Sequence, residues 1–259
     1  MMEFIQKEIQ GNSLILKLNR PDKYNSFNRP MALELCAALD EAASDTSIRG
    51  IMITGNGKAF CAGQDLQEAM DPNGPGLKKI LSEGYNPIIR KIRNIEKPVI
   101  AAVNGVAAGA GANIALSCDI VVATASASFI QAFSKIGLIP DSGGTFTLPR
   151  LIGFQKASAL MMLGEKVSAS DAEKMGMIYK VYSDEEFYSS SLSLIHQLSS
   201  MPTRGLALTK KVLNSSMNNS LDQQLDLEEK LQLEAGETYD YKEGVKAFIE
   251  KRNPEFLGK

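Results

Sequence analysis

The chain has 259 residues, 44% of them apolar and 22% charged, with a formal net charge of −2. This is an ordinary soluble, globular composition with enough length for one large core, or for a large and a small domain. It excludes an electrostatic footprint for nucleic acid, and no apolar run approaches the ~18 residues of a membrane span.

Phe4–Gln10 and Ser13–Asn19 alternate in polarity around Gly11-Asn12, which predicts a β-hairpin. A polar loop follows, and Pro30 to Ala43 reads as a helix with apolar positions at Met31, Leu33, Leu35, Ala38 and Leu39. Arg49–Gly55 is a short buried strand, and Lys58 to Leu66 is a second loop. Leu77 to Ile95 is an amphipathic helix with a predicted interruption near Pro87. Pro98–Val103 is a buried strand that turns through Asn104–Gly111 into a helix over Ala112–Leu116. Asp119–Thr124 is another strand, and Ile136 to Thr145 is a glycine-rich turn entering a helix that ends near Arg150. Short helices between Phe154 and Met175 precede a last strand, Met177–Tyr182. From Asp184 on the pattern is helical only, over 184–200, 203–219, 221–236 and 240–252. That change sets the expected boundary between a β/α body, 1–183, and a helical region, 184–259. No repeat stands out in the residues themselves.

Cys36, Cys61 and Cys118 are odd in number and lack metal-ligand spacing, which predicts reduced thiols, no metal site and a cytoplasmic setting. The start of the chain, Met1–Glu8, has no secretory apolar segment. The single histidine, His196, lies in a late helical stretch and reads as a structural or surface residue. Gly109-Ala-Gly111 after a strand invites a dinucleotide reading, but Ile114 stands where the fingerprint needs a third small residue. A Walker phosphate loop is excluded by the absence of a Gly-Lys-Ser/Thr in a suitable place. What remains at Asn104–Leu116 is bare backbone at a helix mouth, suited to an oxygen that carries or acquires negative charge. Asp141, between Pro140 and Ser142-Gly-Gly144, either caps a helix or serves as a general base. An apolar pocket from Phe133, Ile136, Leu138 and Ile139 would surround it. Asp65 is a helix cap or part of a second turn, Cys61–Leu66, whose Gln64 N–H would converge with the Ala110 N–H on one oxygen. Cys61 has no histidine near it in sequence and is a poor nucleophile candidate.

Lys58–Leu66, Lys97–Gly111, Cys118-Asp-Ile120, Gly137–Arg150 and the ending Lys242–Phe256 together resemble the enoyl-CoA hydratase/isomerase, or crotonase, superfamily, in order and over the whole chain. The resemblance implies an α/β fold, a spiral of ββα units followed by a helical trimerisation region. It implies a homotrimer or homohexamer and an acyl-CoA thioester substrate, with no cofactor besides the coenzyme A of the substrate. The thioester oxygen would lie between the backbone N–H groups of Gln64 and Ala110. Coenzyme A would lie against Lys23, Asn25, Ser26 and Phe27, and against Ala62, Gly63, Asp65 and Leu66, with Phe248 and Lys251 approaching from the C-terminal region, in one reading that of a neighbouring subunit. Hydratases of the family use two glutamates to handle water; Asn113 and Phe133 occupy those positions here. Asp141 falls where dienoyl-CoA isomerases and ring-processing members carry an aspartate, and Gly137–Thr145 most resembles the ring-epoxide isomerases of phenylacetate breakdown. The implied reaction is isomerisation with Asp141 as the single acid/base and Asn113, Phe133, Ile136 and Leu138 in the pocket. Rival readings are a Δ3,Δ2-enoyl-CoA isomerase or a hydratase of fatty-acid oxidation, and, outside enzymes, an inactive acyl-CoA-binding homologue.

Overall fold

The structure is a computed structural model that describes residues 4–259. Its strands are β1 (Ile5–Gln10), β2 (Ser13–Leu18), β3 (Gly50–Gly55), β4 (Ala59–Cys61), β5 (Val99–Val103), β6 (Val106–Ala108), β7 (Ile120–Thr124), β8 (Ser128–Ile130), β9 (Lys166–Ser168) and β10 (Lys180–Tyr182). The first two form the expected hairpin, with Gly11 at φ 58° in its two-residue turn. A six-stranded sheet runs β1-β2-β3-β5-β7-β10, and a four-stranded one runs β4-β6-β8-β9. Every pairing in the large sheet after the hairpin is parallel. Parallel strands need covering on both faces, and β3 and β5 are accordingly apolar and buried almost throughout.

Three times in succession the chain lays a strand in the large sheet, the next in the small sheet, and then turns into helix: β3 and β4, β5 and β6, β7 and β8. This is the spiral of ββα units that the resemblance implied. The repetition lies in the geometry, where the residues themselves showed none, because each turn shares only strand positions and burial with the next. The sequence reading missed β4, β6, β8 and β9, which are three residues each. A segment that short carries little alternation to detect.

The helices of the body are α1 (Arg29–Ser44), α2 (Leu66–Met70), α3 (Gly76–Lys79), α4 (Asn86–Asn94), α5 (Ala110–Leu116), α6 (Gly144–Ile152), α7 (Phe154–Leu163) and α8 (Ala169–Lys174). In α1, Met31, Leu35, Ala38 and Leu39 are buried as expected, whereas Leu33 stays 39% exposed. Asn28 caps α1 by accepting from the Met31 N–H at 3.1 Å. The interruption expected near Pro87 is a π-helical turn, Ile80–Tyr85, after which Pro87 sits harmlessly in the first turn of α4.

After β10 come only helices: α9 (Phe187–Ser200), α10 (Thr203–Ser216), α11 (Leu221–Gly236) and α12 (Tyr239–Glu250). The first lies on the large sheet, where Phe187 and Ile195 join Ile15, Met52, Ile100, Ala102 and Val122 in a second apolar cluster. Gly50 is bare beneath it, since a Cβ there would stand 2.8 Å from the Ile195 Cδ1. Helix α10 is tied to the body by Lys210, whose Nζ pairs with Asp119 at 2.8 Å and donates to the Ile92 carbonyl at 2.6 Å.

Candidate active site

Two loops leave the small sheet side by side. Strand β4 pairs with β6 in parallel, so Ala62–Asp65 and Gly109–Ala110 emerge next to one another. Gly63, at φ 95°, is needed at the closest approach: a Cβ there would come within 2.9 Å of the Ala108 carbonyl oxygen and 3.6 Å of the Ala110 nitrogen. One turn deeper, a Cβ on Gly111 would strike the Cys61 carbonyl oxygen at 2.4 Å and its sulfur at 2.7 Å.

Gln64 makes an isolated parallel bridge with Phe27. The Phe27 N–H donates to the Gly63 carbonyl at 2.7 Å, and the Asp65 N–H donates to the Phe27 carbonyl at 2.8 Å. In a parallel bridge the residue between those two bonds turns its own N–H to the opposite side. The Gln64 amide therefore faces away from Phe27. Helix α5 begins at Ala110, two residues before the expected start, and makes the Ala110 N–H the first of its free amides. Gly109 precedes it at φ 54° and bonds back to the Ile130 carbonyl at 2.8 Å.

Asp141 lies in the loop before α6. It is not that helix's cap: Gly143 occupies the N-cap position, and no side chain bonds the first amides. The carboxylate is mostly buried, and burial raises its pKa above the ordinary aspartate value, opposed by a 2.8 Å hydrogen bond that the Ser142 hydroxyl donates to Oδ1. Ser142 holds this position in left-handed backbone, φ 52°, rare for a residue with a side chain. A raised pKa and one oxygen left for a ligand are what a general base needs.

Asn113, one turn into α5, is 1% exposed. Its Nδ2 donates to the Asp141 main-chain carbonyl at 2.8 Å, and its Oδ1 accepts from Gln131 Nε2 at 2.8 Å. Gln131 Oε1 is buried without a partner among the described residues. Gly144 lies directly over the amide, where a Cβ would be 2.3 Å from Asn113 Nδ2. Phe133 is buried with its ring near Gly109, whereas Ile136 and Leu138 are exposed and form an apolar rim.

The other side of the site comes from the π-turn and α4. Tyr85 is 2% exposed; its hydroxyl donates to Gln64 Oε1 at 2.9 Å, and its ring meets Phe27 edge-on at 5.9 Å. Burial, reinforced by the neighbouring Cys61, Asp141 and Glu68, pushes the Tyr85 phenol well above its usual range, so it stays protonated and donates. Ile89 of α4 approaches Gly143 beside Asp141. Nothing in the sequence reading found Tyr85, Gln131 or Ser142 as participants; only the amphipathic pattern around Tyr85 pointed to that segment at all.

The remaining site candidates divide by exposure. Lys23, Ala62 and Leu66 are exposed, while Asn25, Ser26, Phe27 and Gly63 are buried. Asn25 has its side chain committed to the loop, accepting from the Arg20 N–H and donating to the Asn56 and Ala59 carbonyls. Asp65 caps α2 through the Gln67 N–H and pairs with Arg20 at 2.9 Å. Burial pulls its pKa up, but Arg20 and the Gln67 amide outweigh that and hold it below the usual carboxylate range. Phe248 lines a separate groove between α10 and α12 with Pro202, Gly205 and Tyr241, and Lys251 ends α12 in left-handed backbone at φ 55°. Neither is joined with the Lys23–Leu66 loops in this chain. Cys61 is buried and its thiol is pushed up to about 12, which removes it as a nucleophile at neutral pH.

A two-layer ββα spiral with paired loop amides beside a half-buried carboxylate defines the crotonase class. The sequence profile of the enoyl-CoA hydratase/isomerase family matches residues 8–259, and the chain belongs to that family. It is 48% identical to the 1,2-epoxyphenylacetyl-CoA isomerase of Escherichia coli K12 over 262 aligned positions, covering 100% of both chains. It is 37% identical to the trans-2-decenoyl-[acyl-carrier-protein] isomerase of Streptococcus mutans, covering 94% of each. Among solved structures, an enoyl-CoA hydratase from Polaromonas sp. JS666 superposes with a TM-score of 0.90 at 36% identity, covering 97% of this chain and 99% of that one.

Proposed function

We propose that this chain is an acyl-CoA isomerase that works with one carboxylate and no water. The observation that carries the reading is a half-buried Asp141 of raised pKa whose main-chain carbonyl is held by an amide, Asn113, at the position where the family's hydratases carry an acid. The Asp141 carboxylate takes a proton from carbon next to the thioester, and the electron pair passes into the carbonyl. The Gln64 and Ala110 N–H groups stabilise the resulting enolate oxygen. The same carboxyl returns the proton to a more distant carbon, which moves the double bond with no atom gained or lost. Deprotonation at that carbon would also start the opening of a ring epoxide towards its oxepin isomer. The likeness to the E. coli enzyme supports the ring epoxide of phenylacetate breakdown as the substrate. The exposed apolar rim of Ile136, Leu138 and Ile139 supports a second reading, a Δ3,Δ2-enoyl-CoA isomerase acting on fatty chains.

Coenzyme A is expected to reach the exposed Lys23, Ala62 and Leu66. The exposed apolar surface of α10 to α12, with Leu213, Leu225, Phe248 and Ile249, supports an oligomerisation role for 184–259 in a trimer or hexamer. The deciding experiment compares rates on the ring-epoxide thioester and on linear 3-enoyl thioesters for the parent and for Asp141→Asn. If Asp141→Asn isomerises as fast as the parent while binding coenzyme A normally, Asp141 is not the base.

A further inference from the structure

The peptide joining Gly63 to Gln64 carries one of the two proposed oxyanion donors, and the Gln64 side chain behind it is held in a chain of hydrogen bonds. The Tyr85 hydroxyl donates to Gln64 Oε1 at 2.9 Å. Gln64 Nε2 donates to Glu68 Oε2 at 3.1 Å and, more weakly, to the Asp65 carbonyl at 3.3 Å. Both Glu68 oxygens accept from the Arg29 N–H at 2.9 and 3.0 Å. The Arg29 guanidinium then reaches Glu83 Oε2 at 2.7 Å, two residues from Tyr85 in the same π-turn. The chain of bonds thus links α1, α2, the donor loop and the π-turn, and the backbone from Glu83 to Tyr85 closes it.

Gly63 is the most easily rotated residue in that loop, because its φ of 95° lies where a side chain would be strained. Two anchors oppose rotation of the donor peptide, and Tyr85 bears on both. Its ring packs edge-on against Phe27, whose N–H holds the Gly63 carbonyl at 2.7 Å. Its hydroxyl fixes the side chain of Gln64 itself. The Gln64 carboxamide is engaged at both ends, so neither its oxygen nor its nitrogen is free to follow a ligand. π-turns inside helices are often found at functional sites, and this one delivers the hydroxyl to the donor loop.

We infer that Tyr85 is a positioning residue for the oxyanion hole, acting through the Gln64 side chain to aim the Gln64 N–H at the thioester oxygen. The inference rests on the proposed role of the Gln64 and Ala110 amides. A donor held in place before the reaction contributes most where charge develops, so loss of the hydroxyl should lower kcat and leave KM nearly unchanged. Tyr85→Phe keeps the ring and removes only the hydrogen bond. The expected fall in kcat is about tenfold, equivalent to ~1.4 kcal/mol of barrier.

The test uses the full-length protein and butyryl-CoA labelled with 13C at the thioester carbonyl, a saturated probe that cannot isomerise. In the parent the bound carbonyl stretch should move to lower frequency than in water, and in Tyr85→Phe that displacement should shrink together with kcat. In a Gln64→Ala background, Tyr85→Phe should have no further effect on either quantity. An equal carbonyl frequency and kcat in parent and Tyr85→Phe overturns the inference and leaves the oxyanion hole standing. An equal loss with and without the Gln64 side chain overturns the route through Gln64. A parent that shows no displacement at all overturns the hole and the inference together. Should Tyr85→Phe not fold, Gln64→Leu is read in its place, and an undiminished displacement there counts against the inference.

Discussion

The Asn113 carboxamide donates to the main-chain carbonyl of Asp141 at 2.8 Å, tying α5 to the loop that carries the proposed base. A carbonyl can only accept, which fixes the nitrogen of Asn113 on that side and its oxygen towards Gln131. Asn113→Asp has nearly the same shape but sets acceptor against acceptor. It is expected to cost about 1–3 kcal/mol of stability, more if the new carboxyl stays ionised. Urea unfolding measures the cost, and kcat should fall with it because the Asp141 loop loses its tether.

Restoring the acid that hydratases carry should not restore hydration. Gly144 leaves no space beside Asn113, since even a Cβ on that glycine would lie 2.3 Å from Nδ2. An extra methylene in Asn113→Glu is expected to cost about 1–3 kcal/mol in strain. Crotonyl-CoA hydration should stay at background in this variant. Turnover in the usual enzyme range of ~1–10³ per second would mean that one missing acid alone separates the two reactions.

The state of Asp141 predicts the pH profile. Burial raises its pKa, so kcat/KM should climb with pH through a limb lying above the ordinary aspartate value. Ser142→Ala removes the hydrogen bond that favours the ionised form, and the limb should shift further towards neutral pH. Asp141→Asn should lower kcat about 10²–10⁴-fold, the usual contribution of a positioned acid or base. The linkage runs with the same sign. A group whose folded pKa is raised is destabilising when charged, so Asp141→Asn should raise Tm at neutral pH. That gain should fade as pH falls through the folded pKa towards the unfolded one.

Gly63→Ala probes the crossing of the two loops. The φ of 95° and the Ala108 oxygen 2.9 Å away leave a methyl group no relaxed position. The loop must shift, and the Gln64 amide with it. Removing one oxyanion donor costs about 10²–10³ in kcat, and a displaced donor should approach that figure. The measurement is kcat alongside Tm, and a loss confined to Tm would show that the amide is not a donor.

The hairpin, the buried parallel strands and the four C-terminal helices were legible because each is long enough to show its period. Of the three-residue strands only β10 was, within the longer run Met177–Tyr182, and the missed β4, β6 and β8 are the ones that launch Gln64, Ala110 and Gln131. Asn113 was noticed for what it lacks, whereas its bonds to Gln131 and Asp141 span 18 and 28 residues and follow from the crossing of separate turns. Asp65 was read as either a cap or a site residue, and its pairing with Arg20 gives it a part in holding the loop. Of the two readings of Asp141, the capping one falls because Gly143 holds the N-cap position of α6.

The contact between Gly111 in the first turn of α5 and Cys61 at the end of β4 leaves no room for a methyl group between them. Both proposed donors therefore grow directly out of packed core elements, the end of β4 and the start of α5. Moving either donor by heat should therefore require the packing of β4 against α5 to give way. On heating the parent protein, the curve of residual activity should overlay the curve of lost ellipticity.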